Sequence, residues 1–183
     1  MRISDDRYSR DRLRLDLALR FIRHEARTQT IRTWTGLTDD RIRKLYRSYL
    51  MESPDRIPRH RGKSPQQAAF FMRSARLQQE TAVLASLLCL LGAMPLGTLV
   101  DTARSLPGVA RGELLCKAFE IYQVLVPASQ ISFEHAVFLL AALSKGDELR
   151  LEGCSSCGVL QVVDRLALQE VHCNACAGRH EAH

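Results

Sequence analysis

The stretch Cys154-Ser155-Ser156-Cys157, followed after fifteen residues by Cys173-Asn174-Ala175-Cys176, decides how the end of the chain is read. The spacing C-x2-C-x15-C-x2-C matches that of four-cysteine zinc sites. Each CxxC turn sets two thiolates side by side, and two such turns make a tetrahedron with each sulfur about 2.3 Å from the metal. Four sulfur ligands leave no open coordination position. Cys154, Cys157, Cys173 and Cys176 are therefore expected to hold one structural Zn2+ ion per chain, not a catalytic one. A redox pair of CxxC dithiols is the competing reading of the same residues. His172 and His180 stand nearby as bystanders. After Gly146 the texture changes, and the short apolar runs Val159–Val163 and Leu166–Val171 read as strands. Residues 147–183 thus form, by expectation, a small zinc-ribbon-like module that the metal holds together in place of a core.

Upstream, residues 1–146 read as a helical DNA-binding and partner-binding body, and the fold class as mainly α. Arg12–Phe21 alternates strictly between polar and apolar, which taken alone is a strand pattern. It is rich in Leu, Arg and Ala and has no β-branched residue before Ile22, so a helix is expected. Its two apolar stripes, Leu13/Leu17/Phe21 and Leu15/Leu19/Ile22, suit the chain's own core and a partner subunit. A short helix over Thr28–Thr35, a turn at Gly36 and a helix from Asp39 to about Leu50 follow. Thr38 is the expected N-cap, and Asp39 and Asp40 suit the positive end of the helix dipole. Ile42, Leu45, Tyr46 and Tyr49 share one face of this helix, and Arg43, Lys44 and Arg47 the opposite one. Ser64-Pro65-Gln66-Gln67 reads as the capped start of a helix running to about Leu91. Further helices are expected near Leu96–Leu106, Gly112–Leu125 and Phe133–Leu143.

Charge is unevenly distributed. The chain carries 22 Arg and 4 Lys against 20 acids, for a net of +6. Residues 1–76 hold 19 of the basic residues and 9 acids, a net of +10, while residues 77–183 hold 7 and 11, a net of −4. Such asymmetry points to an anionic partner. Thr28 to Arg47 fits the twenty-residue helix-turn-helix template, with Gly36 at the turn, Ile31 and Leu37 flanking it, and Ile42 and Leu45 buried. In such a unit the second helix enters the major groove. Arg41, Arg43, Lys44 and Arg47 on that helix, with Arg56, Arg59, Arg61 and Lys63 in the loop after it, are the candidate DNA contacts. A solvated charged face is the plainer reading of the same residues.

Other classes are disfavoured. No P-loop, GxGxxG, HExxH or GxSxG is present and no cysteine forms a nucleophile motif with histidine, so no enzymatic activity is expected. Cys89 and Cys116, in LLCLL and LLCKA, read as buried core thiols. His135 reads as structural, and Trp34, Phe70 and Phe71 as core or interface anchors. Thr81–Val100 is uncharged and long enough to span a bilayer, but Gly92, Pro95 and Gly97 break it, so a core helix is expected. The N-terminus MRISDDRYSRDRLRLDL lacks an apolar signal region, and the cysteine pattern suits a reducing compartment, which together suggest a cytoplasmic protein.

Several stretches together resemble the FlhC family, a subunit of the bacterial master activator of flagellar genes. They are the first helix with Ala26-Arg27, TGLTDDRIRKLYRSYL over Thr35–Leu50, and the Ser53-Pro54 loop leading to Ser64-Pro65. The central helices and the CSSCG…CNAC module complete the set. The resemblance implies a mostly helical chain binding one zinc ion through those four cysteines. It further implies a heterohexamer of two FlhC and four FlhD chains that binds promoter DNA upstream of flagellar (class II) operons. That complex recruits RNA polymerase holding the housekeeping sigma factor. Two other readings stay open: a divergent paralogue acting on non-flagellar genes, and a zinc-ribbon protein-interaction module without direct DNA binding.

Overall fold

The computed structural model describes residues 2–52, 60, 62–94 and 108–180, with side chains for 7–48, 60, 62–94 and 108–178. The helix expected at Leu96–Leu106 and the basic residues Arg56, Arg59 and Arg61 lie outside the described residues. Among the described residues, seven α-helices, one 3-10 turn and one two-stranded sheet form a mainly helical fold. They divide between two units, Met1–Ser64 with Leu106–Cys116, and Pro65–Ser105 with Lys117–His183.

The first unit is built on α1 (Arg2–Arg23), α2 (Thr28–Thr35) and α3 (Asp39–Glu52). The alternating Leu stretch is helical, as its composition favoured. Leu17, Ala18, Phe21 and Ile22 are buried on α1, while Leu13 is exposed and Leu15 and Leu19 are half-buried. Helical geometry therefore splits the two predicted stripes and buries the residues nearest the end of α1. The Trp34 ring on α2 lies 6.0 Å from that of Phe21, and Ile31 is fully buried. Burying each such side chain contributes roughly 1.5–3 kcal/mol. Gly36 ends α2 at φ +69°, a left-handed conformation that favours glycine, and its N–H donates to the Arg32 carbonyl at 2.8 Å. Thr38 caps α3 as expected, accepting from the Arg41 N–H at 3.4 Å. Ile42 and Tyr46 face the core, and the Tyr46 hydroxyl donates to the Ala26 carbonyl at 3.3 Å. A fourth helix, α5 (Val109–Leu125), contributes its first half to this unit. It approaches α1 closely at Gly112, where a Cβ would lie 2.6 Å from Leu17 Cδ2. Arg20 and Glu113 form an ion pair alongside.

The second unit holds α4 (Ala75–Leu90), the rest of α5, α6 (Phe133–Lys145), strands β1 (Leu149–Gly153) and β2 (Leu160–Asp164), and α7 (Asn174–His180). The helix expected from Ser64 begins ten residues later. Residues 63–67 are irregular, Ala68–Met72 form the 3-10 turn, and Ser74, not Ser64, is the N-cap. Ser74 is extended and its hydroxyl accepts from the Leu77 N–H at 3.2 Å. The physical reason is the Phe70-Phe71 pair. Phe70 stacks on His135 at 4.0 Å and Phe71 on Phe138 at 6.0 Å, so this segment turns to fill α6 rather than continuing a helix. His135 is thus structural, held also by Ser132 Oγ at 2.7 Å from its Nδ1. Cys89 and Cys116 are buried thiols, each in its own unit. No helix among the described residues is long and apolar enough to cross a membrane, and α4 ends at Leu90 within the 81–100 run.

A buried carboxylate organises this core. Glu80, 3% exposed, accepts from Arg76 Nε at 2.8 Å, from the Tyr122 hydroxyl at 3.0 Å and from the Gln130 N–H at 2.9 Å. Burial pushes its pKa up, but these donors outweigh it and hold the group below the ordinary 4.5. The folded state therefore binds fewer protons than the unfolded chain near that pH. The network's contribution is complete above about pH 4.5 and is lost as pH falls through the lowered value. Glu80→Gln is expected to cost about 1–2 kcal/mol at neutral pH, since one acceptor becomes a donor facing donors. It should also flatten the acid limb, which urea melts of both proteins between pH 3 and 7 will check.

Candidate metal centre

The first CxxC pair is the turn of a β-hairpin. β1 and β2 pair antiparallel from Leu149 opposite Asp164 to Gly153 opposite Leu160, so Cys154–Val159 forms the connection. The Cys154 N–H donates to the Val159 carbonyl at 2.9 Å, and the Gly158 N–H returns to the Cys154 carbonyl at 2.8 Å. The run Leu166–Val171, expected as a strand, is not one. β2's partner is Leu149–Gly153, whose alternating Leu149 and Leu151 carry the period-2 signal. Residues 165–172 instead lead the chain back to the second pair, pinned by Ser155 N–H to the Val171 carbonyl at 2.8 Å. There Cys173 stands just before α7, and the N–H groups of Cys176 and Ala177 both donate to its carbonyl at 2.9 Å.

These elements bring together all four predicted ligands. The sulfurs of Cys154, Cys157, Cys173 and Cys176 lie within 4.8 Å of one another, a cluster that can hold a metal ion. The Cys157 and Cys173 sulfurs are 3.7 Å apart. A tetrahedron with metal–sulfur bonds of about 2.3 Å has an edge of about 3.8 Å, so that pair already sits at the required spacing. All four are free thiols, and a disulfide would need sulfurs about 2.05 Å apart. Cys154, Cys173 and Cys176 are buried and Cys157 is exposed, so the cluster is closed on three sides.

The thiols are electrostatically unequal. The Cys173 N–H donates to Cys154 Sγ at 3.3 Å and, with the N–H groups of Cys157 and Ser156, draws that thiol down to about 5 against the opposing effect of burial. Cys176 is pushed up to about 12 by its contacts with the sulfurs of Cys173 and Cys157. Cys157 is also raised: the N–H of Val159 lowers it, but the neighbouring sulfurs of Cys154 and Cys173 prevail. Cys154 thus ionises readily, and a bound cation would favour ionisation of Cys157 and Cys176 by taking the place of their protons. Among the described residues His172 is not part of this cluster: its Nδ1 lies 3.2 Å from Ser156 Oγ, and the side chain of His180 is outside the described residues.

No sequence pattern marks Asn174. Lying between the two ligands of the second turn, it donates through Nδ2 to the Ala75 carbonyl at 3.0 Å, and so ties the cluster to the first turn of α4. β2 packs along the same helix.

The candidate DNA contacts form a separate group on the first unit. Arg41, Arg43, Lys44 and Arg47 are all exposed on α3, and Lys63 is exposed. Arg41 approaches Asp11 at 3.5 Å and Arg43 pairs with Asp40 at 3.0 Å, while Asp39 lies 3.8 Å from Arg32. The two acids that open α3 are therefore each met by an arginine. No family model matches the chain, and no curated protein matches it.

Two outcomes are expected at the cluster. Cys154→Ser should lower both bound metal and soluble yield, read by elemental analysis under reducing conditions. Asn174→Ala should keep its metal and lose about 1 kcal/mol, the contribution of one hydrogen bond, in a thermal melt.

Proposed function

We propose that the chain is a DNA-binding subunit of a transcription activator, of the FlhD/FlhC type that its sequence resembles, acting with RNA polymerase at flagellar promoters. The observation that carries this reading is the exposed cationic face of α3. Arg43, Lys44 and Arg47 project together from the second helix of a helix–turn–helix segment whose other face, Ile42 and Tyr46, is buried. Guanidinium groups pair bidentately with phosphates and guanine edges, which suits both positioning and base reading. The ion pairs to Asp39 and Asp40 are exposed and contribute little, so phosphates can displace them.

In this account the four cysteines hold Zn2+ as a structural ion. Sulfur-only ligation at tetrahedral spacing favours zinc among common divalent ions, and a full set of four ligands favours a structural role. Partner docking is assigned to the first half of α1, where Tyr8 is 74% and Leu13 55% exposed on a helix that is otherwise basic. An FlhD-like subunit covering these residues would give the heterohexamer that the resemblance implies.

A second reading is favoured by one observation. The module exposes Leu166 at 82% and Leu168 at 99%, which suits a protein-interaction surface. The two readings separate on DNA. The complex co-expressed with an FlhD-like protein should protect a promoter footprint and weaken steeply with salt, by about 0.9 in log–log slope per phosphate contacted. Arg43→Ala with Arg47→Ala should weaken binding at least tenfold without lowering the melting temperature. A flat salt dependence, or no footprint, would favour the interaction module.

A further inference from the structure

Beside the cationic face, the first unit holds an open-sided cleft of about 510 Å³ at the start of α2. Arg27, Arg43 and His60 bring positive or protonatable groups to it, and Thr28, Gln29, Gly62 and the acid Asp39 complete its lining. Gly62 borders the Arg27 guanidinium, since a Cβ on it would sit 3.7 Å away, at ordinary contact distance. His60 is held by Glu25, with Nε2 to Oε2 at 2.7 Å. Arg43 reaches the cleft from α3 while paired with the 82%-exposed Asp40. Asp39 faces Arg32 at 3.8 Å, so its charge is partly neutralised.

The lining is what selects the ligand. Sites for small organic molecules are mostly apolar with a few polar groups. This cleft has no aliphatic or phenyl side chain among its lining residues, and its chemistry is two guanidinium groups, an imidazole, a hydroxyl and an amide against one carboxylate, Asp39. The first turn of α2 carries no acid, and no side chain caps it, so its amides add to the positive end of the cleft. Exposed ion pairs such as Arg43–Asp40 contribute little, whereas a guanidinium–phosphate pair is charge-assisted and bidentate.

We propose that this cleft is a phosphate site, in which Arg27 and Arg43 clamp one backbone phosphodiester of DNA while α3 lies on the duplex. The proposal rests on the DNA-binding reading above and extends it by placing a backbone contact between Arg27 at the start of α2 and Arg43 of α3. Backbone contacts fix register and carry no sequence information of their own.

Gln29→Glu is the sharpest variant. It is nearly isosteric at an exposed position of the first helical turn, where an acid favours the helix, so the melting temperature should hold or rise. The same charge would face the bound phosphate. Arg27→Gln is the companion variant that removes a cation instead. Both are compared with the wild-type complex on duplex DNA across a salt series, with inorganic phosphate as a second probe read by thermal shift. The expected result is a fall of about tenfold in affinity, uniform across target and unrelated duplexes. Arg27→Gln should also lower the log–log salt slope by about 0.9, one contact. Wild-type DNA binding with unchanged affinity and slope in both variants would overturn the cleft and leave the DNA reading intact. If the wild type fails to bind duplex but inorganic phosphate stabilises it and not Arg27→Gln, the phosphate site stands and its DNA source falls. If neither probe acts on the wild type, both are overturned.

Discussion

Four sulfur atoms within 4.8 Å of one another are the constraint on which the C-terminal part of the chain depends. Four thiolates at that spacing repel strongly, and four thiols share protons uneasily, as the opposite displacements of Cys154 and Cys176 show. A divalent cation resolves the conflict by taking the place of the protons. The hairpin of β1 and β2 is only five residue pairs long, and a two-stranded hairpin alone is marginal in water. Its turn is the first ligand pair and its return path ends at the second, so closing the cluster closes the hairpin. Through Asn174 and the packing of β2, the same closure bears on the start of α4, five residues before Glu80.

The first unit is stabilised differently. It has no comparable cluster among its described residues and relies on apolar burial of Leu17, Phe21, Ile31, Trp34, Ile42 and Tyr46 around a helix–turn–helix segment. Most of its described arginines face solvent, while Arg20, Arg27, Arg111 and Glu113 are half-buried. That separation lets a strongly basic surface sit on a stable core, because the arginines that face solvent contribute little to folding and remain available for an anion. In the proposed account metal closure and anion binding fall to different units, and substitutions in one should leave the other's function measurable.

Much of this was legible in the sequence where a local rule had a single solution. The Gly36 turn, the Thr38 cap and the burial of Ile42 and Tyr46 follow from short-range chemistry, and the four-cysteine cluster from spacing, whereas Leu45, expected to be buried, is half-buried. Errors arose where two local signals competed and distant packing chose. Ser64-Pro65 is a good helix start, but Ser74 is another, and the ring stacks of Phe70 on His135 and Phe71 on Phe138 decide between them. Leu166–Val171 has strand-like composition, but the hairpin turn made by Cys154–Val159 fixes β2's partner on its N-terminal side. Glu80 and Asn174 carried no pattern at all. A lone acid in an apolar helix signals a buried network only once its donors, Tyr122 and Gln130, are folded against it.

The central claim is that four thiolates enclose one metal ion and that this closure makes the module. X-ray absorption at the metal edge of the reduced, purified chain tests it most directly. The account predicts a single zinc per chain with four sulfur scatterers at about 2.3 Å and no light-atom shell at bonding distance. Nitrogen or oxygen in that shell would contradict it, as would a metal-free chain whose hairpin stays folded.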